Sequence, residues 1–159
     1  MGEAGNPEPE SVATRDRSSR IALVASSAYP NPGGVEQHVR QVARELTARG
    51  HAVEVWTVAR DGVPSRDVVD GVPVRWLPAP LPARSAGALA GFARLVPRSW
   101  GQWADAVRSF RPSLLHVQCF GPNGVYASAL SRRFRIPMAV SSHGETFMDE
   151  LDRITAAVG

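Results

Sequence analysis

The sequence contains no lysine: all eighteen of its basic residues are arginine. Guanidinium groups make planar, paired contacts with carboxylates and phosphates, so an anionic ligand fits this usage, although codon bias in a GC-rich genome is the simpler account. Acidic residues number 15 and are interspersed with the arginines, leaving a net charge of +3 and no basic run of the kind that tracks a nucleic acid. Cys119 is the only cysteine. An intramolecular disulfide is therefore excluded, in keeping with a reducing compartment and a cytoplasmic protein. Long hydrophobic runs are missing too, and no stretch approaches the roughly 20 apolar residues that span a bilayer. Residues 1–19 are rich in Glu, Pro, Ser and Arg and lack the apolar centre of a secretory signal, so they are expected to form a disordered tail. The four histidines show no metal-ligand spacing, and no metal site or bound cofactor is expected. No G-x-S-x-G elbow, cysteine-nucleophile motif or G-x-G-x-x-G fingerprint is present.

What remains is an ordinary globular composition, 43% hydrophobic over 159 residues, enough for one domain across 20–159. Ile21 to Ser27 is a short apolar run of the kind that forms a strand covered on both faces. After the turn-rich Tyr29 to Gly34, Val35, Val39, Val42, Ala43 and Leu46 recur at helical spacing, with Glu36–Arg40 and Glu45–Arg49 as supporting i,i+4 pairs and Gly50 as the stop. Val53 to Val58 alternates and predicts a second strand. Arg60 to Asp70 reads as a polar loop, and Gly71 to Leu77 as a strand that Pro73 places at an edge or irregular position. Ser85 to Phe110 is helical, with Pro97 expected to break or kink it. Ser113 to Gln118, a helix over Pro122 to Arg133 with Val125, Ala129 and Leu130 inward, a strand over Ile136 to Ser141 and a helix over Thr146 to Val158 complete the chain. Strands alternating with crossover helices predict an α/β fold with a doubly wound, mostly parallel, Rossmann-like sheet.

In such sheets ligands bind beyond the C-terminal ends of the strands. Three loops fall there: Tyr29 to Gly34, Gln118 to Asn123, and Ser142 to Thr146. Gly33 and Gly34 precede a helix, where bare backbone N–H groups and the helix dipole suit a phosphate or sugar; a plain tight turn is the alternative. His143 could donate a hydrogen bond to a substrate, or simply satisfy nearby backbone. Glu145 could bind a sugar hydroxyl or favour a helix start. His116 reads as a satisfied core or rim residue. Trp100, Trp103, Phe92 and Leu95 lie among arginines; they suit a helix packed on the sheet, or a patch drawn to anionic lipid at the inner face of the membrane.

Several segments together resemble family 4 glycosyltransferases. They are Arg20-Ile-Ala-Leu-Val, Tyr29-Pro-Asn-Pro-Gly-Gly-Val-Glu-Gln-His-Val, Leu46 to Val55, Gly71-Val-Pro-Val, Arg111-Pro-Ser-Leu-Leu-His-Val and Pro137-Met-Ala-Val-Ser-Ser-His-Gly. The resemblance covers about Arg20 to Glu150. It implies one half of a GT-B fold: the N-terminal, acceptor-side domain of an enzyme that moves a sugar from a nucleotide sugar to an acceptor with retention of configuration, usually without a metal. By that similarity Gly33 and Gly34 line the acceptor and donor-phosphate side, His143 is the catalytic histidine near the transferred sugar, and Glu36, Asn123 and Glu145 are lesser binding candidates. The family's second domain, which binds the nucleotide and supplies a pair of glutamates, has no counterpart before Gly159. Little or no turnover is therefore expected from these residues alone, and a separate donor-domain chain is one partner they could need. The acceptor is expected to be a sugar or lipid-linked molecule. A non-catalytic sugar- or phospholipid-binding module and half of a GT-B-like epimerase are the competing readings.

Overall fold

A computed structural model describes residues 18–27, 33–59, 61–81 and 86–141. Most of the expected tail, His143, Glu145 and the expected last helix lie outside these residues.

The elements run β1 (Arg20–Ala25), α1 (Gly34–Ala48), β2 (Ala52–Val58), β3 (Ser65–Val69), β4 (Val72–Leu77), α2 (Ala86–Phe110), β5 (Leu114–Gln118), α3 (Pro122–Phe134) and β6 (Met138–Ser141). They build one six-stranded sheet in the order β3-β4-β2-β1-β5-β6, parallel throughout except for the β3–β4 pair. β1 is central and buried from Ile21 to Ala25 because helices cover both faces. Ile21, Leu23 and Ala25 face Val39 and Ala43 of α1, whereas Ala22 and Val24 face Trp103 and Val107 of α2 and Tyr126 and Leu130 of α3. This is the doubly wound, Rossmann-like α/β arrangement that the alternation of elements predicts.

α1 buries the expected stripe, with Val39 and Ala43 fully covered and Val35, Val42 and Leu46 packed around them. Its end is closed by two backbone bonds, Gly50 N–H to Thr47 O at 2.9 Å and His51 N–H to Leu46 O at 3.0 Å, which require the left-handed φ of 84° that Gly50 adopts. Of the two expected i,i+4 pairs, Glu45–Arg49 forms at 3.8 Å. Arg40 instead pairs with Asp70, which Arg44 also reaches at 3.4 Å.

Asp70 belongs to a turn that the loop assignment missed. Asp70 and Gly71 have φ of 52° and 80°, the two positive values of a two-residue hairpin, and they join β3 to β4. β3 escaped notice because nearly all of Ser65–Val69 is exposed and carries no buried alternation. β4 is therefore not an edge strand. Pro73 is tolerated because it faces Val68 next to the closing Val69–Val72 pair, at a position that exchanges no ladder bonds, and pairing with β2 starts only at Val74.

Two helices also differ from expectation. α2 is continuous through Pro97. Pro97 is exposed, so the carbonyl it leaves unbonded can be solvated. α3 turns Asn123, Gly124, Tyr126, Ala127 and Leu130 inward and leaves Val125 exposed. Leu130 is inward as expected, but Val125 is not, because the small residues allow α3 to lie close to the sheet.

β2 does not alternate in burial: Val53 to Thr57 are all covered. Glu54, at 5% exposure, forms a buried ion pair with Arg75 of β4, whose guanidinium also donates to Ser109 Oγ of α2 at 2.8 Å. Burial pushes the Glu54 carboxyl above the usual carboxylate range, and the Arg66 and Arg20 charges partly oppose this. Trp103 fills the centre of the α2 face. It meets Trp56 edge-on at 6.2 Å, stacks on Tyr126 at 5.4 Å and donates its indole N–H to Pro78 O at 2.9 Å. Trp103 is thus a core residue and takes no part in an interfacial patch.

Candidate functional site

α1 leaves β1 on one face of the sheet, while α2 and α3 flank β5 on the other. The winding therefore reverses at the C-terminal ends of β1 and β5, the place where sheets of this kind form a ligand crevice. Two segments frame it. On the β1 side are Ser26 and the start of α1. On the β5 side is the turn from Cys119 to Asn123. The two meet at Gly121, where a β carbon would stand 3.8 Å from Ser26 Cβ.

Gly33 is the N-cap of α1, with extended backbone (φ −155°, ψ 163°) and no side-chain cap. Its carbonyl accepts the first helical bond, from Gln37 N–H at 3.0 Å. The N–H groups of Gly34, Val35 and Glu36 are left over, as at every helix start, and carry the positive end of the dipole. The Glu36 carboxylate folds back over Gly33, into the space a β carbon would need, whereas a β carbon on Gly34 would meet nothing. The requirement for glycine is therefore steric at position 33 and absent at 34. Gly33→Ala should fold with a midpoint shift corresponding to less than about 1 kcal/mol, because only the flexible end of Glu36 must move. Its ligand affinity should change far more than its thermal midpoint, and parallel melting and binding titrations check this.

Asn123 has a different role from the one expected. It is fully buried, and its amide donates to Val24 O at 3.4 Å and to Cys119 O at 3.2 Å. It therefore clamps β1 to the turn after β5, and its nitrogen is not offered to a ligand. Its Oδ1 is buried without a hydrogen-bond partner among the described residues. Cys119 holds a left-handed φ of 59°, and its N–H bonds Ser141 O at 3.0 Å, which ties the turn to β6 as well. Behind the turn, His116 Nε2 lies 2.8 Å from Ser141 Oγ and 3.0 Å from Gln118 Nε2, the satisfied arrangement that its strand position suggests.

A second concavity continues along the same edge. A cleft of about 500 Å³ lies between the ends of β2 and β4 and the α2 helix, with Ala59, Asp61, Pro78, Arg98, Ser99 and Gln102 on its walls. Arg98 and Gln102 also border a neighbouring groove of about 490 Å³ that runs under the β3–β4 hairpin. Gln102 Oε1 is buried there without a partner among the described residues. The cleft can thus offer a cation and a carboxylate to a polar molecule.

Residues 33–158 match the sequence family described as the glycosyl transferase 4-like domain. The chain belongs to this family. It is also 40% identical over 67 residues to one subunit of the human phosphatidylinositol N-acetylglucosaminyltransferase. That match takes in 40% of the chain and 13% of the relative, so it spans a small part of that protein. Among solved structures, the C-terminal domain of a hydrogenase from Pyrococcus furiosus aligns with a TM-score of 0.48 at 18% identity, over 88% of this chain and all of that one. That likeness carries no functional weight.

Of the residues that sequence reasoning selected, Gly33, Gly34 and Glu36 lie at the start of α1, and Asn123 is buried at the start of α3. His143 and Glu145 lie outside the described residues. Arg98, Gln102 and Asp61 were missed as cleft residues. Arg98 looks like a solvated arginine on α2, and only the hairpin, itself unrecognised, turns that surface into a wall. No described helix is long and apolar enough to cross a membrane.

Proposed function

We propose that this glycosyltransferase domain forms the acceptor side of a sugar-transfer site that uses a nucleotide-sugar donor and retains anomeric configuration. The observation that carries this reading is the sheet edge beyond β1 and β5. Its α1 and β5 sides lie within the family's matched span, the α1 start there has no side-chain cap, and the Arg98–Gln102 cleft lies along the same edge. The α1 N–H groups suit a phosphate of the donor, and the cleft suits a polyol that carries an anionic group. The name of the human relative supports an acceptor of the phosphatidylinositol class, which would place the work at a membrane surface.

In this reading His143 and Glu145, which follow β6 in sequence, also serve the transfer. The histidine hydrogen-bonds the sugar undergoing transfer and the glutamate holds one of its hydroxyls. The protein's contribution is positioning, together with stabilisation of the departing diphosphate, and the nucleotide contacts and second carboxylates come from a donor domain. The 159-residue polypeptide alone is then expected to bind acceptor and to transfer little or no sugar. NMR titration with glycerophosphoinositol should shift the amides of Ser99 and Gln102, and Arg98→Ala should weaken that binding about tenfold. An absence of shifts at the cleft, or transfer at ordinary enzyme rates by this polypeptide alone, would defeat the proposal.

A further inference from the structure

The edge of the sheet opposite the crevice carries a cluster of arginines that the proposed reaction does not use. α2 and α3 both end there, and each ends on an arginine in the left-handed backbone region, Arg111 with φ 52° and Arg135 with φ 55°. Helices normally end this way on glycine, because a β carbon strains the conformation. Between the two ends lies a depression of about 380 Å³ formed by Val107, Arg108, Arg111, Pro112, Phe134 and Ile136. The Arg108 and Arg133 guanidiniums lie 5.9 and 5.7 Å from the Phe134 ring centre. Neither these two nor Arg111, Arg132 and Arg135 form an ion pair among the described residues.

The helix dipole accounts for cations in the last turns of α2 and α3. It does not account for two strained arginines where glycine would serve the backbone better. We propose that this surface docks an acidic segment of a partner protein. An apolar side chain of the segment sits on the recessed Pro112–Phe134–Ile136 floor, and its flanking carboxylates pair with Arg111, Arg135 and their neighbours. A lipid surface fits less well because the apolar residues are recessed and do not protrude. A nucleic acid fits less well because both guanidiniums already occupy the Phe134 ring that a base would stack on. The site faces away from the crevice, so docking and sugar transfer are compatible.

The test uses the whole polypeptide and a fluorescein-labelled peptide, Glu-Glu-Glu-Leu-Glu-Glu-Glu, followed by anisotropy. Saturable binding with a dissociation constant on the order of 10 μM is expected. The Arg111→Gly/Arg135→Gly variant should bind roughly tenfold more weakly while melting at the same or a higher temperature, because both substitutions relieve backbone strain. Arg94→Ala, exposed elsewhere on α2, should bind as the parent does, and a peptide with Ser in place of Leu should bind more weakly. The proposal fails if no saturable binding is seen, or if the double-glycine variant binds unchanged. It also fails if vesicles of phosphatidylserine and phosphatidylcholine, or a single-stranded oligonucleotide, are held more tightly than the peptide and lose that binding in the same variant.

Discussion

Replacing Arg75 by methionine should destabilise the domain by about 3–5 kcal/mol, whereas Arg75→Met combined with Glu54→Leu should cost far less. Both partners are covered to about 5% exposure, and Ser109 provides the only other side-chain bond described for the guanidinium. Removing Arg75 strands a carboxylate between β2 and α2, answered by the half-exposed Arg66 at 4.0 Å and the Arg20 charge. Removing both charges leaves an apolar gap that two aliphatic side chains can fill. Denaturant melts of the two singles and the double give the coupling directly. The single variant should also respond to pH. Glu54 already titrates above the usual range. A carboxyl whose folded pKa lies above its unfolded value binds a proton more readily when folded, so stability rises as pH falls through that interval. The deficit of Arg75→Met should therefore narrow on acidification from neutral towards the ordinary carboxylate pKa, and a deficit that widened over that range would contradict the assignment.

Trp103→Ala should cost about 3–5 kcal/mol, and Trp103→Phe less, yet the milder variant is the more informative about function. The alanine variant leaves a cavity against Trp56 and Tyr126 and an unbonded Pro78 carbonyl. The phenylalanine variant keeps an aromatic ring in place but loses the indole N–H and part of the bicyclic ring's volume. Pro78 forms part of the cleft wall, and Tyr126 donates to Pro80 O at 3.3 Å, so two core aromatics hold the strap that shapes the cleft. Trp103→Phe should thus lower acceptor affinity several-fold and destabilise the domain by about 1–3 kcal/mol, the cost of leaving a buried carbonyl unbonded. Unchanged acceptor affinity in Trp103→Phe would show that the strap is held by packing alone.

The parts of the fold legible in the sequence are those where one period dominates. β1 is a continuous apolar run, α1 has a clean stripe, and Gly50 ends it as a stop residue should. The parts that were not legible are decided by neighbours. Ser65–Val69 becomes a strand only because Asp70-Gly71 turns it back onto β4, and that dipeptide is the signal that could have revealed it. Val125 looks like a core residue by spacing, but Gly124 and Ala127 let α3 approach the sheet and rotate Val125 outward. Glu54 sits at an ordinary alternating position whose burial depends on an arginine 21 residues later. At the site, glycines before a helix are visible locally, whereas the role of Asn123 is not, because its partner Val24 is 99 residues away in sequence.

That separation has a kinetic consequence. The central strand β1 is synthesised first, but its second neighbour, β5, begins at Leu114, and bonds such as Arg20 N–H to Ser113 Oγ span 93 residues. β1 can pair early with β2 through the short α1 crossover, and then has one open edge until almost all of the described chain exists. Closing so large a loop is entropically slow, and partnerships of this range set folding rates. The junction between β1 and β5 is therefore the later of the two that the central strand makes. Until it closes, the apolar edge of β1 is the surface most exposed to mispairing during synthesis.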